Sequence, residues 1–267
     1  MPDYTVCAGV REKRPLVHCI SNIVTANDCA NLLLACGASP MMAEAPEEME
    51  EITRIADATV LNLGTPSREK YAAARICLEQ SKRSGKPVVL DPVGVGAGEW
   101  RLKNAASLLS AAPPDIVRVN LAEAEALLGL GASEQGVDSP GRSDLEQRVR
   151  AARTLAAKLG CAVLLTGAKD VVSDGERTAA ISGGSGLMPM VTGSGCMLSA
   201  LCGAFAAVER DAFKAACAAS LYWKRCSELA GELSVNRGSG SFRAALMDAA
   251  CRVTDDMLAS GAQPEAL

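Results

Sequence analysis

The stretch Pro87-Val88-Val89-Leu90-Asp91-Pro92-Val93-Gly94-Val95-Gly96-Ala97-Gly98 decides the fold class. Its first half is apolar without alternation, the mark of a strand covered on both faces, as in a parallel sheet flanked by helices. Its second half is glycine-rich and opens on a carboxylate. Asp91 therefore stands at a strand's carboxyl end, where open α/β sheets bind their ligands.

Short β-branched runs of the same kind alternate with longer Ala/Leu-rich helical patterns on either side. The expected strands are Leu16–Ile20, Pro40–Ala43, Thr59–Asn62, Pro87–Asp91, Asp115–Val119 and Ala162–Thr166. Thr65-Pro66 reads as an N-cap with proline at the first helical position, and Lys82, Arg83 and Gly85 close that helix. Ser143 and Glu146 read as a capping box. After Thr166, Asp170–Ser173 and Arg177–Ser182 flank Asp174-Gly175, a hairpin at the sheet's edge. Helices follow at Cys196–Val208, Asp211–Leu233 and Ser241–Ser260. Gly131–Gly141 reads as a long surface loop. The acidic run Glu44, Glu47, Glu48, Glu50 and Glu51 surrounds Pro46 and reads as a helix start whose carboxylates face the positive end of the dipole. Neither a repeat nor a linker divides residues 1–267, so one α/β domain is expected, mostly parallel with helices on both faces and a small antiparallel edge.

The chain has 267 residues, enough to bury a sizeable core without metals or disulfides. Lys plus Arg number 27 against 31 Asp plus Glu, a net charge of −4 that argues against a nucleic-acid binder. Eleven cysteines, odd in number and irregular in spacing, contain no C-x-x-C pair and fit free thiols in a reducing cytoplasm. Met1 to Ile20 holds no apolar run long enough for a signal peptide. The charge-free run Thr178–Val208 is interrupted by Pro189 and by glycines at 183, 184, 186, 193 and 195, so it does not read as a membrane span.

A P-loop motif and a G-x-S-x-G elbow are both absent. The single histidine, His18, cannot supply a two-histidine metal site and reads as a hydrogen-bonded structural residue. The strongest local signal is Val191-Thr192-Gly193-Ser194-Gly195-Cys196, followed by an apolar helix. Glycines there leave backbone N–H groups pointing at an anion, with the helix dipole behind them. Cys196 falls at the first residue of that helix, where a thiol pKa is typically lowered. Asn120 and Glu123 lie one helical turn apart just after a strand that carries Arg118. Hard oxygen ligands of this kind suit Mg²⁺, although Glu123 could equally cap a helix.

Together these segments resemble the ribokinase-like superfamily and, more closely, the hydroxyethylthiazole kinases of thiamine salvage. The resemblance runs from about Pro15 to Phe242. It rests on His18-Cys19-Ile20-Ser21-Asn22-Ile23-Val24-Thr25-Ala26-Asn27, Gly37-Ala38-Ser39-Pro40-Met41-Met42-Ala43, Leu90-Asp91-Pro92-Val93-Gly94, Asn120-x-x-Glu123, Leu165-Thr166-Gly167 and Thr192–Cys196. It implies ATP-dependent phosphorylation of the primary hydroxyl of 4-methyl-5-(2-hydroxyethyl)thiazole. By that similarity Arg118, Thr166 and Gly195 contact ATP, Met42 and Gly193 line the thiazole pocket, and Asp91 and Glu123 organise Mg²⁺. The family's members are trimers with the site at the interface, so Asn22 and Val24 reach a neighbour's pocket. Ile23 departs from family members that carry a polar residue there.

Most ribokinase-like kinases carry Asp at the position of Cys196, and the thiazole kinases carry Cys. The expectation is that Cys196 approaches the acceptor hydroxyl and takes its proton weakly, while the amides of Gly193–Cys196 hold the transferred phosphoryl group. Alternatives are another small-alcohol kinase, such as one acting on a hydroxymethylpyrimidine, or a nucleotide-binding regulatory protein without catalysis. A thiol redox protein is the third, and no second cysteine stands at a resolving spacing from Cys196.

Overall fold

The structure is a computed structural model and describes residues 5–130, 142–261 and 263–267. The described residues form a nine-stranded sheet ordered β2-β1-β3-β4-β5-β6-β7-β8-β9. Six strands run parallel: β1 (Leu16–Ile20), β2 (Ser39–Met41), β3 (Ala58–Asn62), β4 (Val88–Asp91), β5 (Ile116–Asn120) and β6 (Ala162–Thr166). The edge is antiparallel, with β7 (Asp170–Ser173), β8 (Thr178–Ile181) and β9 (Glu265–Ala266).

Alternate residues of the parallel strands feed two different cores, so apolar side chains stand on both faces of the sheet. Val17, Cys19, Val60, Val89, Ile116 and Leu164 pack under α1 (Val6–Lys13), α2 (Ala26–Cys36), α8 (Ser194–Ala206), α9 (Ala212–Leu233) and α10 (Ser239–Arg252). Ile20, Leu61, Leu90, Val117, Val119 and Leu165 pack under α4 (Arg68–Arg83), α5 (Glu99–Ala111), α6 (Leu121–Leu128) and α7 (Arg142–Leu159). Each such fully buried aliphatic side chain contributes about 1.5–3 kcal/mol relative to exposure. Among the described residues no helix is long and apolar enough to cross a membrane.

His18 is fully buried, and its Nε2 meets the Ala43 carbonyl at 2.9 Å, a structural bond that ties β1 to the end of β2. The acidic run opens a short 3₁₀ turn at Pro46–Glu48 and α3 (Met49–Ile55), as its composition implied. Asp174-Gly175 makes the β7–β8 turn, Gly175 supplying a φ of 96°. The surface loop expected at Gly131–Gly141 and the side chain of Ser143 lie outside the described residues.

Three expectations need correction. The N-cap of α4 is Ser67, whose hydroxyl accepts from the Lys70 amide, and not Thr65. Thr65 sits at φ 46° with its hydroxyl already bonded to the Gly64 carbonyl (2.7 Å). The helix expected over Ser241–Ser260 is two helices, because Val253 turns extended and Thr254 caps α11 (Asp255–Ala259). Helix α8 begins at Ser194, with Gly193 as its N-cap, so Cys196 is its third residue and not its first.

Candidate active site

The carboxyl ends of β3, β4, β5 and β6 are Asn62, Asp91, Asn120 and Thr166, and the register sets Asn62 opposite Asp91 and Asn120 opposite Thr166. Parallel pairing thus delivers four polar side chains to one rim of an apolar sheet. Asp91 is fully buried there. Its Oδ2 accepts from Ser199 Oγ (2.7 Å) and Asn62 Nδ2 (3.1 Å). Its Oδ1 has no hydrogen-bond partner and faces Arg118 Nη1 at 3.7 Å. Burial raises the Asp91 pKa, opposed by Arg118 and by the Ser199 bond.

Arg118 continues from Asp91 to Thr166, with Nη2 donating to Thr166 Oγ1 (2.7 Å). It lies across the first turn of α8, where a side chain on Gly195 would collide with its guanidinium. Glu123 is buried and uses both oxygens: Oε1 accepts from the Gly94 amide and Oε2 from the Asn120 amide, each at 2.9 Å. Asn120 Oδ1 returns the favour to the Glu123 amide, which completes a capping box at α6. The carboxylate that could hold a metal is therefore also the clip joining the Asp91–Gly98 turn to β5.

At the mouth of α8 the Ser194 amide donates to Val191 (3.3 Å), and the helical ladder starts with Met197 donating to Gly193 (2.8 Å). The amides of Gly195 and Cys196 stand in the first turn ahead of that ladder. Gly193 adopts φ 83°, and a side chain there would also strike Thr25. Cys196 is only 8% exposed. Its thiol pKa is raised, by burial first and by the Asp91 charge second, which reverses the lowering expected at a helix start. Burial of the thiol, with the Asp91 charge adding to it, outweighs what the helix start would do.

Beside this cluster opens a cleft of about 600 Å³, walled by Arg118, Thr166, Gly195, Trp223, Lys224 and the 183–186 loop. Trp223 Nε1 donates to the Ser194 carbonyl (3.1 Å), pinning the helix mouth from α9. Asn22, Val24 and Met42 lie off this cleft. Val24 is 63% and Met42 39% exposed, with Ile23 at 76% beside them. Asn22 connects to the helix mouth through Thr25, whose amide donates to the Asn22 carbonyl (2.9 Å). The predicted residues therefore fall into two groups: Asp91, Arg118, Glu123, Thr166, Gly195 and Cys196 around one rim, and half-buried Asn22 with exposed Val24 and Met42 on a shoulder formed by the segments that follow β1 and β2, with Gly193 against Thr25.

The model of the hydroxyethylthiazole kinase family matches residues 7–256. The chain belongs to the hydroxyethylthiazole kinase family. A hydroxyethylthiazole kinase of Granulibacter bethesdensis is 48% identical over 242 residues, covering 90% of this chain and 86% of that one. The solved structure of the hydroxyethylthiazole kinase protein from Pyrococcus horikoshii superposes with a TM-score of 0.90 at 38% identity, covering 99% and 98% of the two chains. A ribokinase-like superfamily protein of Enterococcus faecalis matches at TM-score 0.64 and 13% identity, covering 92% and 89%, a likeness of fold. By its family the chain is a kinase, and the Enterococcus likeness extends to the fold alone.

Sequence reading of this family member missed Asn62, Ser199 and Trp223. Asn62 ends a strand as Asp91 does, a signal that was present and unread. Ser199 lies one helical turn beyond Cys196 and Trp223 lies far along the chain, and nothing local marks either as facing the rim.

Proposed function

We propose that the chain transfers the terminal phosphoryl group of ATP to the primary hydroxyl of 4-methyl-5-(2-hydroxyethyl)thiazole, giving the phosphate ester and ADP. The observation that carries this reading is Arg118, which joins Asp91, Thr166 and the Gly195 turn at the mouth of α8, inside a cleft of nucleotide size. Phosphoryl transfer asks mainly for positioning and charge stabilisation, and this rim supplies a guanidinium, first-turn amides and a buried carboxylate. Arg118, Thr166 and Gly195 hold the nucleotide. Gly193 and Met42 face the acceptor, and Cys196 takes the hydroxyl proton as a weak base.

Asp91 and Glu123 suit Mg²⁺. Oδ1 of Asp91 is buried and accepts no hydrogen bond, with the Arg118 guanidinium 3.7 Å away, which leaves its lone pairs for a cation, and two carboxylates completed by phosphates and water are the sparse set this ion prefers. Bound there, it would neutralise charge on the phosphates. Asp91 is kept in place by Ser199 and Asn62, and Glu123 by the Gly94 and Asn120 amides.

The exposed shoulder of Ile23, Val24 and Met42 supports a homotrimer in which Asn22 and Val24 complete a neighbour's acceptor pocket. Free thiols throughout the described chain support a cytoplasmic setting, and the continuous sheet supports one domain over 1–267. The test is ADP release over a panel of heteroaromatic alcohols, with and without Mg²⁺. The thiazole alcohol stimulates release in the Mg²⁺ arm. A chain stimulated instead by a hydroxymethylpyrimidine, or by no alcohol, overturns the assignment.

A further inference from the structure

Lys70 lies in the first turn of α4, yet it is buried. Its Nζ donates to the Ser21 carbonyl (2.6 Å), the Gly64 carbonyl (3.0 Å) and Thr65 Oγ1 (3.4 Å), with Glu44 Oε2 at 3.7 Å. An ammonium has three N–H donors, and here all three are spent on protein oxygens. Those partners come from the segments that leave β1, β2 and β3 at the carboxyl rim. A lysine buried without such partners would be expelled or neutralised. Glu44 is exposed, so its charge adds little through solvent screening.

The same segments are stitched a second time. The Ile23 amide donates to Thr65 Oγ1 (3.2 Å), and Asn22 fills the space that a side chain on Gly64 would need. The Gly64 amide in turn donates to Asn62 Oδ1 (2.9 Å), and Asn62 holds Asp91. Lys70 thus stands at the outer end of a bonded series that runs from the exposed shoulder to the buried carboxylate. The nucleotide cleft is built from other parts of the chain: β5, β6, the 183–186 loop, α8 and α9.

We propose that Lys70 is a positioning residue for the acceptor. It holds Asn22, Ile23 and Val24 against the Gly64-Thr65 turn, so that the alcohol meets a preformed rim, and it touches no substrate itself. The proposal rests on the functional reading above, in which this shoulder receives the thiazole alcohol.

The test uses the full chain and steady-state ADP release with ATP and alcohol varied separately. Lys70→Met keeps the length of the side chain and removes every donor. The alcohol KM rises about tenfold or more, the range expected when a hydrogen-bonded charge is lost, while the ATP KM stays within about twofold. Thr65→Gly is the second variant. Glycine accepts the φ of 46° without strain, so the fold is kept while the hydroxyl that receives Ile23 and Lys70 is lost. It raises the alcohol KM by a smaller factor, again without moving the ATP KM, and it decides the matter if Lys70→Met does not fold. The proposal is overturned if the wild-type chain phosphorylates the alcohol and the folded variants keep its KM, or raise both KM values alike. A wild-type chain that no alcohol stimulates overturns the functional reading instead, and the role of Lys70 with it.

Discussion

Arg118 and Gly195 compete for one volume: the guanidinium occupies the space where any side chain at position 195 would have to stand. Glycine is required there for room and not for backbone freedom, because position 195 is an ordinary helical residue. Gly195→Ala pushes Arg118 away from both Asp91 and Thr166. The expected result is a loss of about 10²–10³-fold in kcat/KM for ATP, the usual cost of removing one preorganised electrostatic contact. Melting temperature falls as well, because Asp91 is left buried without its countercharge, and a variant of full activity would show that Arg118 does not act at the phosphates.

Ser199→Ala leaves Asp91 Oδ2 with Asn62 as its one remaining donor in a buried site. Losing a hydrogen bond to a buried charged group costs about 1–3 kcal/mol, so urea unfolding shifts by that amount. Turnover falls as well, since the carboxylate is freed to rotate. Unchanged stability would mean that another group or water takes the place of the hydroxyl.

The raised pKa of Cys196 keeps its thiol protonated at neutral pH, and the fraction of thiolate grows with pH. If Cys196 accepts the hydroxyl proton, wild-type kcat climbs between about pH 7 and 9. Cys196→Asp, whose carboxylate is already ionised there, gives a flat profile with equal or higher turnover. Cys196→Ala retains activity, reduced by about 10²-fold or less, because a protonated thiol contributes only the low end of general-base assistance. An inactive, correctly folded Cys196→Asp chain would remove Cys196 from this role.

His18, the single histidine of the chain, has its pKa lowered by burial, partly offset by the Ala43 carbonyl and Glu48. Below about pH 6.5 the unfolded chain takes up a proton that the folded chain refuses until lower pH. The unfolded state therefore binds more protons in that window, and stability falls with falling pH at up to about 1.4 kcal/mol per unit. Unfolding free energies measured between pH 7.5 and pH 5.5 show this slope, and His18→Gln lacks it.

Much of this architecture was legible because the physics is local. Unalternating apolar strands such as Val88–Asp91 announce burial on both faces, and a carboxylate closing such a strand announces the rim. Gly193-Ser194-Gly195 announces a helix mouth in the same way. What stayed hidden depends on distance along the chain. The bond between Ser199 and Asp91 spans 108 positions, and the bond from Trp223 to Ser194 joins two helices that no sequence period relates. The thiol of Cys196 was misread for a related reason. A helix start lowers a pKa only where the group faces the dipole in the open, and burial beside Asp91 is a fact of packing alone. Thr65 looked like a cap because its hydroxyl chemistry suits one, but a tertiary partner, Ile23, had already claimed it.

The indole of Trp223 gives the molecule a built-in optical gauge. It is one of two tryptophans, and it touches the helix mouth directly, whereas Trp100 stacks edge-on with Tyr71. With Trp100 replaced by phenylalanine, the remaining emission comes from a ring that lines the cleft, so a change in its intensity would follow nucleotide arrival in real time without any added dye.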